Sequence, residues 1–187
     1  MPFPQPVGVT REPWIDRLPV ALRADTILMA ALHFWQAGRA GQRTPSCDLI
    51  DPLRVPRAVL PHVILVDCLN GRFRYRLVGT RMVEQWGEDF TGRHLDEITT
   101  GEYGAYIASL FGGAERARAP VFGASAFRWD VGRVVWTRRL MLPYGEPDAA
   151  RIMCVQTFDD SWPTAEQFSA AHGFGPPQAP GQVLDLD

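Results

Sequence analysis

Lysine is absent from these 187 residues: the nineteen basic side chains are all arginines, set against twenty-one Asp and Glu, for a formal net charge of -2. Without lysine there is no Schiff-base chemistry, no lysine general base and no phosphate-gripping lysine of a P-loop. The near-neutral balance leaves no electrostatic excess for nucleic acid or an acidic membrane surface. Cysteine is scarce. Cys47, Cys68 and Cys154 stand far apart with no CxxC pair, and an odd number leaves one thiol over from any disulfide scheme, which points to a reducing cytosol. Long apolar runs are missing. Met1 to Val9 carries Pro2, Pro4 and Pro6 with no basic flank, so the expectation is no secretory signal, no membrane span and a cytoplasmic location. His33, His62, His94 and His172 show no metal-ligand spacing.

What is present is ordinary globular composition, 46% hydrophobic and 21% charged, on a chain long enough for one domain with extensions. The stretch to about Pro19 is proline-rich and reads as an extended arm. Asp25 to Ala37 reads as a helix, with Asp25 or Thr26 as N-cap and Gly38 as the stop. Its apolar stripe of Ile27, Ala30, Ala31, Phe34 and Trp35 needs a cover. Pro45 to Pro61 reads as loop with a short helical turn.

From Val63 the hydrophobic period changes to that of strands. Asn70, the one asparagine in the chain, precedes Gly71, and this dipeptide tolerates the two positive φ values of a type I′ hairpin turn. The implied register sets Leu69 against Arg72, Cys68 against Phe73, Asp67 against Arg74, Val66 against Tyr75, Leu65 against Arg76 and Ile64 against Leu77. One face is then apolar, from Ile64, Val66, Cys68, Phe73, Tyr75 and Leu77. The other carries Arg72, Arg74 and Arg76, with Asp67 placed to pair with Arg74. Thr80 is the expected N-cap of a short helix to Trp86, and Phe90 to Ile98 follows as a loop and helical turn. A long helix over Glu102 to Arg118 has Tyr103, Ile107, Leu110, Phe111 and Ala114 on one stripe. Three strands complete the domain, Val121 to Asp130, Arg133 to Leu142 and Arg151 to Phe158, with a turn at Gly132 and a looser one over Pro143 to Ala150. The tail from Ser161 reads as a helical turn followed by flexible chain.

Two strands, short helices, one long helix and three strands make an α+β fold, a five-stranded antiparallel sheet with helices on one face. This order resembles a PAS domain. Leu60-Pro61-His62, the run Arg72-Phe73-Arg74-Tyr75-Arg76-Leu77-Val78-Gly79-Thr80, Thr91-Gly92-Arg93, Phe34-Trp35 and Leu142-Pro143 resemble a bacterial PAS-like family of single-domain proteins. The division that follows is an N-terminal arm and helix over 1–44, a PAS-like domain over 45–160 and a flexible tail over 161–187. The resemblance implies a sensory domain enclosing a small cavity and a homodimer through the N-terminal helix. With no output domain in view, the signal is expected to pass to a separate signalling protein.

The aromatics Tyr75, Trp86, Phe90, Phe111, Phe127, Trp129 and Trp136 suit a pocket between sheet and helices, for a small apolar or aromatic ligand. The candidate ligand-binding residues are Tyr75, Leu77, Thr80, Trp86, Phe90, Ile107, Phe111 and Trp136, with the Tyr75 hydroxyl and Thr80 to orient the ligand. No cofactor is identified. The reactive-cysteine motif of flavin photosensors is absent, and Cys68 reads as a buried, inert thiol. The long helix has no axial histidine for haem, only His94 before it. The arginine stripe reads as a solvated face. Tyr75 alternates away from it, so stacking and phosphate contact cannot share one surface for RNA. No nucleophile sits beside a base. An alternative is a cone-shaped α+β isomerase or hydratase using a buried acid and a tyrosine, for which Glu84 is the remaining acid. A ligand-free protein-interaction adaptor is the third reading.

Overall fold

The structure, a computed structural model, describes residues 13–130, 133–146, 150–159 and 181–186, with the backbone alone at 13, 126–130, 133 and 134. Strands β1 (Val63–Leu69) and β2 (Arg72–Val78) join through Asn70 and Gly71, whose φ values of 50° and 77° are the positive pair of a type I′ turn. The register follows the sequence expectation from Leu69 opposite Arg72 as far as Val66 opposite Tyr75. A bulge then intervenes, and Leu65 pairs with Leu77 and Ile64 with Val78. Arg76 is the extra residue, and one residue reverses facing for everything beyond it. Val78 therefore joins the inner core, and Leu77, expected inside, is turned away and 42% exposed. The same shift alters the expected ion pair. Asp67 lies opposite Arg74, but it accepts from Arg76 at 3.5 Å and from Arg151 of the neighbouring strand at 3.1 Å.

The sheet continues through β3 (Val121–Asp130), β4 (Arg133–Tyr144), β5 (Arg151–Asp159) and β6 (Gln182–Val183). It is antiparallel throughout, in the order β2-β1-β5-β4-β3-β6. The five expected strands are joined by a sixth, because the end of the expected flexible tail pairs with β3 and buries Leu184 and Leu186. The rest of that tail, residues 160–180, and the Gly132 turn lie outside the described residues.

Helices cover both faces of the sheet. On the outer face lie α1 (Val20–Arg23) and α2 (Thr26–Gly38). Asp25 caps α2: one carboxylate oxygen accepts the N–H groups of Ile27 and Leu28, each at 3.1 Å. Its other oxygen accepts from Thr157 at 2.6 Å and Arg138 at 3.2 Å, which ties the helix start to the sheet. Leu28, Ala31, Leu32 and Trp35 are buried in the core on this face. The indole N–H of Trp35 donates to the Pro143 carbonyl at 2.7 Å, joining the Phe34-Trp35 and Leu142-Pro143 motifs. Of the stripe that needed a cover, Ala31 and Trp35 are buried against the sheet, whereas Ile27, Ala30 and Phe34 are half-buried at its margin. Of the expected extended arm, residues 1–12 lie outside the described residues; from Pro13 the chain forms a 3-10 turn (Pro13–Arg17) and then α1, burying Trp14, Leu18, Ala21 and Leu22.

The inner face is covered by α3 (Thr80–Trp86), α4 (Leu95–Ile98) and α5 (Gly101–Ala117). Gly79, not Thr80, is the N-cap of α3, and Thr80 is its exposed first residue. Residue 79 has to be glycine for a reason of space: a Cβ there would lie 2.5 Å from the Pro61 carbonyl oxygen and 2.8 Å from that of Val63. The Leu60-Pro61-His62 and Gly79-Thr80 motifs are thus one close contact. Thr91-Gly92-Arg93 runs along the outer edge of β2, where Gly92 N–H donates to Tyr75 O at 2.6 Å and Tyr75 N–H donates to Arg93 O at 2.9 Å. An edge strand that would otherwise present unpaired backbone groups is partly closed by this return.

Candidate functional site

Between the inner face of the sheet and its helical cover lies a cavity of about 30 Å³, room for one or two water molecules. Its floor is sheet: Ile64 of β1, Tyr75 of β2, Arg139 and Met141 of β4, Cys154 and Gln156 of β5. Its cover is Trp86 at the end of α3, Phe90, Ile98 and Thr99, and Tyr103, Ile107 and Phe111 of α5. The aromatic part is an edge-on chain, with Tyr75 against Phe90 at 4.6 Å and Phe90 against Trp86 at 6.4 Å between ring centroids.

Five of the eight residues the sequence nominated meet here: Tyr75, Trp86, Phe90, Ile107 and Phe111. Leu77 is removed by the bulge, and Thr80 faces solvent. Trp136 is buried, but strand alternation sets it with Leu140 and Leu142 of the outer core, opposite to Arg139 and Met141. The side chains of Phe127 and Trp129 lie outside the described residues.

The sequence reading missed the polar end of the cavity. Arg139 is 2% exposed and Gln156 3%. The guanidinium donates through Nε to Gln156 Oε1 at 2.8 Å, through Nη1 to Ser125 Oγ at 2.7 Å and through Nη2 to the Tyr103 hydroxyl at 2.5 Å, and it also lies over the Tyr103 ring. Because the Gln156 oxygen is engaged by Arg139, its amide nitrogen is directed elsewhere, and this buried Nε2 has no hydrogen-bond partner. Burial raises the Tyr75 and Tyr103 hydroxyls well above their ordinary values against the opposing pull of Arg139, and burial pushes the Cys154 thiol up to about 12. All three are neutral at physiological pH. Arg139 is therefore the one formal charge lining the cavity among the described residues. A signal for it existed in the sequence: two adjacent arginines within the apolar run Val134 to Leu142 have to face opposite ways, so one of them enters the interior.

The remaining candidates lie elsewhere. Cys68 packs against the inner core, its thiol raised to about 12 by burial. His94 caps α4 through Glu97 and does not line the cavity. Arg72 makes a two-pronged pair with Asp96 at 3.0 and 2.8 Å, and Arg74 donates to Gly92 O at 3.3 Å. Glu84 is exposed beside Arg81. No carboxylate lines the cavity among the described residues, so the acid-and-tyrosine pair of an isomerase is not assembled there. No group of three or more potential metal ligands is gathered among the described residues.

An antiparallel sheet ordered 2-1-5-4-3 before its added sixth strand, crossed on its inner face by one long helix over a small cavity, defines an α+β pocket domain. Residues 24–155 match the family model of the PAS domain, and the chain belongs to that family. The matched segment begins just before α2 and ends within β5. No curated protein matches the chain. No helix among the described residues is long and apolar enough to cross a membrane.

Proposed function

We propose that this PAS domain senses a small molecule held in the inner cavity and passes its occupancy to a separate signalling protein. One observation carries the reading: an apolar, aromatic-walled cavity ends in a buried amide nitrogen with no acceptor, a polar group left for something outside the chain to satisfy. A ligand larger than the present cavity has to displace Trp86 and Phe90. That movement reaches the surface directly, because Phe90 leads into the Thr91-Gly92-Arg93 return on the edge of β2. A second copy, the partner suggested by the family resemblance, would dock through the N-terminal helix on the residues that the sheet leaves half-buried, Ile27, Ala30 and Phe34.

The small volume favours a second reading, a protein-interaction adaptor whose core is in effect filled. Native mass spectrometry of the freshly purified full chain separates the two. A retained small molecule is expected for the sensor. A bare chain, together with no shift of the unfolding midpoint across a panel of small organic compounds, would leave the adaptor.

A further inference from the structure

The chemistry of the ligand can be argued from Arg139, the one charge that lines the cavity among the described residues, and this rests on the small-molecule reading above. Arg138 and Arg139 are consecutive on β4 and both are largely buried, yet their surroundings differ. Arg138 faces outward to two carboxylates, Asp25 at 3.2 Å and Asp159 at 2.7 Å. Arg139 faces inward to an amide oxygen, a serine and a tyrosine, all uncharged. Removing a cation from water without a counter-charge is costly even when neutral groups accept its hydrogen bonds. A guanidinium carries five N–H donors, and the three acceptors around Arg139 do not use them all.

The second donor is fixed by the first. Arg139 holds the Gln156 oxygen, so the orphaned Gln156 Nε2 cannot be exchanged for an acceptor by flipping the amide without breaking the 2.8 Å bond. The polar end of the cavity therefore carries one positive charge and an excess of donors. A group that fits it is planar, singly negative and rich in acceptors, which describes a carboxylate on the edge of a guanidinium. A phosphate or a dicarboxylate brings more charge than one arginine balances, into walls made of Ile107, Phe111 and Met141. The present volume takes only the head group, and the rest of the ligand lies toward Phe90 and Trp86.

We propose that Arg139 and Gln156 form the head-group site for a compact monocarboxylate with an apolar or aromatic body.

The test uses the full chain and three acids, butyrate, benzoate and phenylacetate, beside benzamide and benzyl alcohol as neutral counterparts and inorganic phosphate as a bare anion. Binding is followed by titration calorimetry and tryptophan fluorescence. At least one acid is expected to bind at least tenfold more tightly than the neutral compounds and phosphate. Gln156→Glu places a carboxylate of the chain's own against Arg139; it is expected to raise the unfolding midpoint and to weaken binding of the acid at least tenfold. Arg139→Met is expected to erase the preference for acid over amide. If the neutral compounds bind as tightly as the acids, the carboxylate assignment falls and the sensor reading stands. If none of the acids binds, the assignment is overturned whatever the neutral compounds do. If in addition nothing else binds and no ligand is retained on purification, the sensor reading falls with it.

Discussion

The two faces of one sheet bury charge in opposite ways. On the outer face, Asp25, Arg138, Thr157 and Asp159 form a set in which two carboxylates balance the charge of the arginine and the helix cap is part of the network. On the inner face, Arg139 meets only neutral acceptors and Gln156 keeps a donor to spare. Position in the strand does not explain the difference, since the residues are neighbours. The difference separates a charge used to hold a helix on a sheet from a charge kept available. A buried charge paired with opposite charges holds its elements together, and one left without a counter-charge is costly unless something else completes it.

The largest expected effect tests that contrast directly. Arg138→Met takes the shared counter-charge from Asp25 and Asp159 in the outer layer and is expected to cost about 3–5 kcal/mol in urea unfolding, the range for breaking a buried pair from one side. Arg139→Met leaves behind only hydroxyls and an amide, and is expected to cost less than about 2 kcal/mol. Equal losses would remove the distinction. A smaller pair sharpens it. Trp35→Phe deletes the donor to the buried Pro143 carbonyl and is expected to cost about 1–3 kcal/mol, loosening α2. Tyr103→Phe takes one neutral acceptor from Arg139 and is expected to cost at most about 1 kcal/mol, because the freed N–H faces a cavity that admits water. A Tyr103→Phe loss exceeding that of Trp35→Phe would place the inner network among the structural ones.

Local signals in the sequence were enough where the cause was local. Asn70-Gly71 set the turn and the register as far as Tyr75, and Asp25 identified the cap of α2. The bulge at Arg76 was invisible because nothing in Arg76-Leu77 demands it. It is decided by how β2 meets β1 and by the closeness of Gly79 to Pro61, and it removed Leu77 from the expected pocket. Trp136 was misplaced by reading aromatics as a set without counting strand parity. The same count, applied to Arg138-Arg139, finds the buried arginine. The motifs carrying the family resemblance turned out to be contacts with one another: Trp35 with Pro143, Pro61 with Gly79, Tyr75 with Gly92 and Arg93. Sixth-strand pairing was hidden because Gln182 and Val183 lie in a stretch whose composition reads as tail.

The smallest expected effect concerns the rim of the inner cover. Asp96 is held below the usual carboxylate range chiefly by its hydrogen bonds from Arg72, and Glu97 chiefly by the backbone N–H of His94; together they fasten α4 to the edge of β2. A carboxyl whose folded value is depressed stabilises above its unfolded value, and that contribution disappears as pH falls through the lower folded one. Starting from ordinary values of 3.8 and 4.5, the loss begins as the pH drops below that range. Both groups are exposed, so the change in global stability is expected to be slight. Locally it is readable: amide exchange at Tyr75, whose N–H is bound to Arg93 O, is expected to show an added acid-dependent opening, and Asp96→Asn is expected to diminish its pH dependence by fixing one group in its uncharged form. If Asp96→Asn leaves the profile unchanged, the Arg72–Asp96 pair does not hold the rim, and the inner cover is fastened by its packing and by the backbone bonds of Tyr75 to Gly92 and Arg93.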